Sequence, residues 1–414
     1  MNQSLLFSRL YYILFYISVL SIPFTSLILF FTTPLLLVLW VIEGRWKDKR
    51  NRLKEPRTLI ITGTLILFWL TGVIGVLYSN DIVKGLMRTY DKLPFLVYPL
   101  VFFSIDKAYF TKEKLYRLFK GFIFATVLML LICWGNSVRQ YLISHNTYHF
   151  YYVYLSQYFG HPTYCSVKVC IAFIITFYFF NDSKRNHIWW IWLSFLLFFA
   201  ASIYFLQSRG GILAFIIVLF FSLFYYFYTH QKTIWQVVRG ILIILLGCVI
   251  FIEMFPGRVG AYIQTMNEGQ LQSKNIWGAR SEIWSLSYQL AMKHKVLGIG
   301  TGYHNNSYLT DSEFTVIDKN SSFINTHNQY LQTFLEHGIF GLSIFLFLLI
   351  YSFYLAIKTK NYLLFMLITV FNVNMFFESM LERSHGIFTF CLFFCLFILK
   401  EIIESATPAH LVGH

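Results

Sequence analysis

The sequence predicts an all-α polytopic membrane protein of about twelve transmembrane helices, with one large helical hydrophilic loop on the outer side. Three observations carry that reading. Of 414 residues, 57% are hydrophobic and 13% charged, and mean hydropathy is +0.59. The apolar runs are long enough to cross a hydrocarbon core of about 30 Å as helices. Lipid offers no water to open backbone groups, so segments that satisfy their own hydrogen bonds are favoured, and the short alternating segments of a barrel are absent.

The spans fall near 5–22, 24–42, 58–78, 93–105, 118–138, 165–180, 188–206, 212–228, 240–255, 338–357, 362–377 and 387–403. The span at 93–105 is short and is expected to extend at its ends. The first span reads as retained, not as a signal peptide. It lacks a small-residue cleavage site, and a second span follows at once after Pro23.

The net charge of +14 does not point to nucleic acid, because its distribution follows topology. With the N-terminus inside, five short inner loops carry 18 Lys and Arg; the outer segments, about twice as long in total, carry 12, six of them on 256–337. Both termini are therefore expected in the cytoplasm. The chain divides into 1–255 (spans one to nine), 256–337 (the outer helical loop) and 338–414 (spans ten to twelve and the tail). In the outer loop, Ile283, Leu286, Leu290 and Val296 recur at helical spacing, and a loop this long in a compact protein usually carries a site or a lid. Cys133, Cys165, Cys170, Cys248, Cys391 and Cys395 lie in or beside apolar spans, so neither a disulfide framework nor a metal site is expected.

Several polar residues stand out. Arg209, in the tight break FLQSRGGILAF, is either a snorkelling interfacial arginine or a clamp for phosphate, whose oxygens match the guanidinium fork. Arg280, opening the loop helix in IWGARSEIW, is either salt-bridged or a second arm of that clamp. GIGTG at 298–302 is a bend or an anion nest, and lacks the strand-turn-helix context of a dinucleotide signature. Thr326 and Gln329 have capping-box spacing, which starts a helix just before His327 and puts residues 327, 331, 334, 338 and 341 close to one face. Gly338 and Gly341 on that face invite a helix or a lipid to approach closely. Glu378, Glu382, Arg383 and His385 crowd the end between spans eleven and twelve, as mutual ion pairs or as lining of an active cavity.

His327-Asn328, followed by nine residues, Gly338, two residues and Gly341, resembles the signature of bacterial O-antigen ligases. With Arg209, Arg280 and the overall architecture, the chain is identified as a member of the superfamily of O-antigen ligases and polymerases. The resemblance implies a GT-C-like membrane glycosyltransferase of the bacterial inner membrane, with its active site on the periplasmic side. It implies an undecaprenyl-diphosphate-linked glycan donor and a lipid A-core acceptor, membrane lipids as surroundings, and no metal or other cofactor. His327 is the candidate general base. Arg209 and Arg280 are candidates for the diphosphate, and Asn328, Gly338, Gly341, Glu378, Glu382 and Arg383 are candidates for support. Two other readings stay open: a repeat-unit polymerase of the same superfamily, and a lipid-linked-sugar flippase or other transporter. The gathering of polar residues at one side, with Lys168 the main charge inside the spans, favours surface chemistry over translocation.

Overall fold

The computed structural model describes residues 3–182, 188–230, 235, 278–302 and 325–406, and among them every regular element is helical. The helices are α1 (Gln3–Ser21), α2 (Leu27–Glu43), α3 (Trp46–Leu53), α4 (Pro56–Leu77), α5 (Ile82–Asp91), α6 (Pro94–Ser104), α7 (Lys112–Ser144), α8 (Tyr152–Ser156), α9 (Pro162–Asp182), α10 (Trp189–Leu206), α11 (Arg209–Thr229), α12 (Gly278–Lys293), α13 (Gln329–Lys358), α14 (Tyr362–Met375) and α15 (Ser384–Ala406). Prolines open α4, α6 and α9, where a missing N–H costs nothing.

Eight of these helices are long and apolar enough to cross a membrane, or nine if α2 and α3, bent by 117°, form one span. The expected twelve is thus not reached among the described residues. The expected span at 240–255 lies outside them. The span expected at 93–105 does not lengthen: α6 has 11 residues, bounded by Pro94 and, on its other side, an extended Ile105. The span at 362–377 is the 14-residue α14.

The chain forms two compact units: Met1–Phe122, Ala279–Ile368 and Met375–His414 make the first, Ile123–Gly278 and Thr369–Asn374 the second. In the first, α15 is a central helix, its apolar stretch 89% buried. It packs on α6, and Phe393 meets Phe122 edge-on at 4.4 Å. The elbow between α2 and α3 is pinned by a buried ion pair, Lys49–Glu43 at 2.9 Å, and Glu43 also accepts from the hydroxyls of Tyr11 and Tyr109. In the second unit α9 is wrapped by α10 and α11 and is likewise 89% buried. Lys168 sits in that core at 1% exposure.

α5 has the polarity of an interfacial helix. Ile82, Val83, Leu86, Met87 and Tyr90 are exposed, while Gly85 and Thr89 are buried and Arg88 turns inward. Asp81 caps its start, its carboxylate accepting from Lys84 N at 3.0 Å.

Candidate functional site

α13 begins at Gln329, and its N-cap is Asn328, whose side-chain oxygen accepts from Leu331 N at 3.0 Å. The Thr326–Gln329 capping box does not form. Thr326 instead donates its N–H to Gln332 Oε1 at 3.0 Å, and its hydroxyl closes on Asn328 O at 2.7 Å. His327 therefore lies ahead of the helix, with φ of 49° and its own N–H donated to Asn325 Oδ1 at 3.0 Å. It does not share a helical face with 331, 334, 338 and 341.

That placement hands the imidazole to a partner from far along the chain. Nδ1 of His327 lies 3.0 Å from Oε2 of Glu378; the histidine side chain is 38% exposed, the carboxylate 9%. An ionised carboxylate only accepts, so beside it the neutral imidazole is the tautomer with the proton on Nδ1 and the lone pair on Nε2. A second donor, Asn325 Nδ2, reaches Glu378 Oε1 at 3.4 Å. Glu378 and Glu382 therefore do not pair with Arg383, as one reading of that cluster expected. Arg383 is exposed, and among the described residues its side chain has no partner.

The helix is broken at Gly338, whose φ of 60° and ψ of −160° lie in a region open essentially to glycine. The break frees backbone groups, and the segment after α12 satisfies them. Ile299 N donates to Leu335 O at 2.9 Å and Gly300 N to Glu336 O at 3.0 Å, while Ile339 N donates to Lys295 O at 2.8 Å. A Cβ on Gly338 would strike the carbonyl of Val296, so the glycine admits this backbone, not a helix or a lipid. At Gly341 the close neighbour is the side chain of His337. The first four amides of GIGTG are likewise committed: Gly298 N donates to His294 O and Thr301 N to Gly75 O, alongside the two bonds above. Residues 298–301 are a strap, not an anion nest.

α12 and the segment after it lie against the N-terminal turns of α13 through Leu290, Ala291, Ile299 and Leu335. The spacing expected to include Val296 stops short, because the helix ends at Lys293 and Val296 is exposed. The indole of Trp284 donates to Thr326 O at 2.8 Å. Arg280, half-buried, stands one turn earlier on the same face of α12, and among the described residues its side chain has no ion-pair partner.

Beneath lies a buried charge network. Arg88 Nη1 reaches Glu336 Oε1 at 3.0 Å and Thr301 O at 3.2 Å. Lys92 Nζ lies 2.8 Å from Glu382 Oε2 and 3.5 Å from Glu336 Oε2. Gln329 donates to Glu382 Oε1 at 3.2 Å, and Gln332 to Glu336 Oε1 at 2.8 Å. Burial alone would lower the Lys92 ammonium, but Glu382 and Glu336 outweigh it and hold its pKa raised.

Arg209 belongs to the second unit. It opens α11 behind the cap Ser208, whose hydroxyl accepts from Gly211 N at 3.3 Å and donates to Thr163 Oγ1 at 3.2 Å. A Cβ on Gly211 would run into Ser166, so the SRGG turn packs directly on the start of α9. The arginine side chain itself is exposed.

Residues 193–346 match the O-antigen ligase family. The matched stretch holds Arg209, Arg280, His327, Asn328, Gly338 and Gly341, and it supports the O-antigen ligase and polymerase superfamily that the histidine motif resembles. None of the curated proteins matches the chain. Glu378, Lys92 and Arg88 lie outside the stretch matched to the O-antigen ligase family. Sequence reasoning passed over Arg88, Lys92 and Glu336, and read Gln329 only as part of a capping box. A signal was present: Arg88 and Lys92 stand four apart beside an apolar run, and Glu336 stands two residues ahead of the span expected at 338–357, where a charge is costly without a partner.

Proposed function

We propose that the protein is an O-antigen ligase-type glycosyltransferase of the bacterial inner membrane. It moves a glycan from undecaprenyl diphosphate to a lipid A-core sugar at the periplasmic face, without a metal ion and with inversion. The family match supports a ligase- or polymerase-type activity. The observation that carries the catalytic reading is the His327–Glu378 pair at 3.0 Å. Glu378 fixes the tautomer and leaves Nε2 to take the proton of the acceptor hydroxyl. The hydroxyl oxygen attacks the anomeric carbon as the bond to diphosphate breaks, and diphosphate departs with the electron pair. Arg209 and Arg280 are the proposed partners of the charge that develops there. The domain division at 255 and 337 remains part of this proposal, with 256–337 as the periplasmic loop and the termini in the cytoplasm.

Purified protein reconstituted with lipid-linked glycan and lipid A-core tests it. Parent protein should consume both substrates, and His327→Ala should transfer about 10²–10⁴-fold more slowly at normal protein level. Turnover of the Ala variant within about threefold of the parent would remove His327 as base. Extension of one lipid-linked glycan by another, with lipid A-core untouched, would assign a polymerase instead. Transbilayer movement without consumption would assign a flippase.

A further inference from the structure

The stretch Phe376–Arg383, between α14 and α15, carries Glu378 but contains no α-helix, only a short 3-10 turn at Met380–Glu382. Its shape must therefore be imposed from outside. One set of ties comes from the segment around His327: Leu381 N donates to Gln329 Oε1 at 2.6 Å, Asn328 Nδ2 to Phe376 O at 3.4 Å, and the hydroxyls of Ser379 and Thr326 meet at 3.5 Å. The other comes from Lys92, which lies between α5 and α6 and is 290 positions away from Glu382. Its ammonium is 3% exposed and faces Glu382, whose carboxylate is 4% exposed, and Glu336, which is fully buried.

The two carboxylates are not equally dependent on it. Glu336 keeps Arg88 if Lys92 is lost, whereas among the described residues Glu382 has no other cation. A buried carboxylate stripped of its cation is strongly disfavoured. It regains water or a proton most readily by moving, and Glu382 stands four residues after Glu378.

We propose that Lys92 is a positioning residue of the transfer reaction: by holding Glu382 it fixes the Phe376–Arg383 turn and keeps Glu378 against Nδ1 of His327. This rests on the catalytic reading above for its effect on turnover, though not for its effect on the turn. Lys92 contributes through placement of the dyad and makes no contact with the diphosphate.

The test has two independent arms. In membranes, a Thr326→Cys/Ser379→Cys pair, whose parent hydroxyls are in contact, reports the turn through its rate of oxidation to a disulfide. Lys92→Met should slow that oxidation about tenfold or more, and Lys92→Met with Glu382→Gln should restore it, because the stranded charge is gone. In the reconstituted transfer assay, Lys92→Met should lower kcat about a hundredfold with donor KM unchanged, and the same double variant should recover most of it. An unaltered oxidation rate in Lys92→Met, or a double variant as slow as the single one, overturns the proposal. A raised donor KM at unchanged kcat also overturns it and makes Lys92 a direct diphosphate ligand. If the oxidation arm behaves as expected while parent protein transfers no glycan, the catalytic reading has failed and the positioning of the turn stands.

Discussion

The indole of Trp284 donates a hydrogen bond of 2.8 Å to the carbonyl of Thr326, the residue immediately before His327. A helix of the loop thereby fixes the backbone on which the candidate base stands. Trp284→Phe keeps the ring's bulk and removes the donor. Loss of one such bond at a half-buried site is worth about 0.5–1.5 kcal/mol, so Tm should fall by a few degrees and turnover by a larger factor than stability alone explains. Stopped-quench turnover beside thermal unfolding in detergent checks this, and parental turnover would detach α12 from catalysis.

Arg280 and Arg209 are each expected to lose activity on replacement by Lys, which keeps the charge and loses the planar fork. Donor-binding isotherms and transfer rates should fall together by about tenfold or more, with unchanged insertion and expression. Two fully active Lys variants would return Arg209 to snorkelling at the interface and Arg280 to a structural role.

Gly338→Ala should be among the most damaging small substitutions in the chain. The residue sits at φ 60° and ψ −160°, and the new methyl would meet the carbonyl of Val296. Strain of this kind costs about 1–3 kcal/mol before the clash is counted. Thermal unfolding and size-exclusion recovery measure it, and a variant as stable as the parent would contradict the broken helix.

Asp91 gives a pH signature. Burial raises its carboxyl above the ordinary value of 3.8, against the opposing pull of Arg88 and Lys92. The folded protein thus holds this proton more tightly than the unfolded chain does. Its contribution to stability is present below pH 3.8 and is lost as pH rises through the raised folded value. Asp91→Asn should therefore raise Tm at pH 7, and the gain should vanish as pH falls toward 3.8. Equal Tm values for parent and variant at pH 7 would show that the burial cost is already offset.

The membrane class and most helices were legible because they depend on properties local to each segment. A run such as Pro162–Asp182 is apolar whatever surrounds it, and in lipid it has little choice but to be a helix. The histidine motif was legible for the same reason, since His327, Asn328, Gly338 and Gly341 are close in the chain.

What only the tertiary structure decided are the pairings. His327 with Glu378, Arg88 with Glu336 and Lys92 with Glu382 join residues 51, 248 and 290 positions apart. Periodicity within one helix tells which face is apolar but not which neighbour, at what height, will meet a given charge. The conformation of Gly338 was hidden likewise. A glycine in a helical pattern signals only a modest cost to the helix. Whether the helix breaks there depends on a distant segment, 295–300, arriving with backbone groups to satisfy those the break exposes.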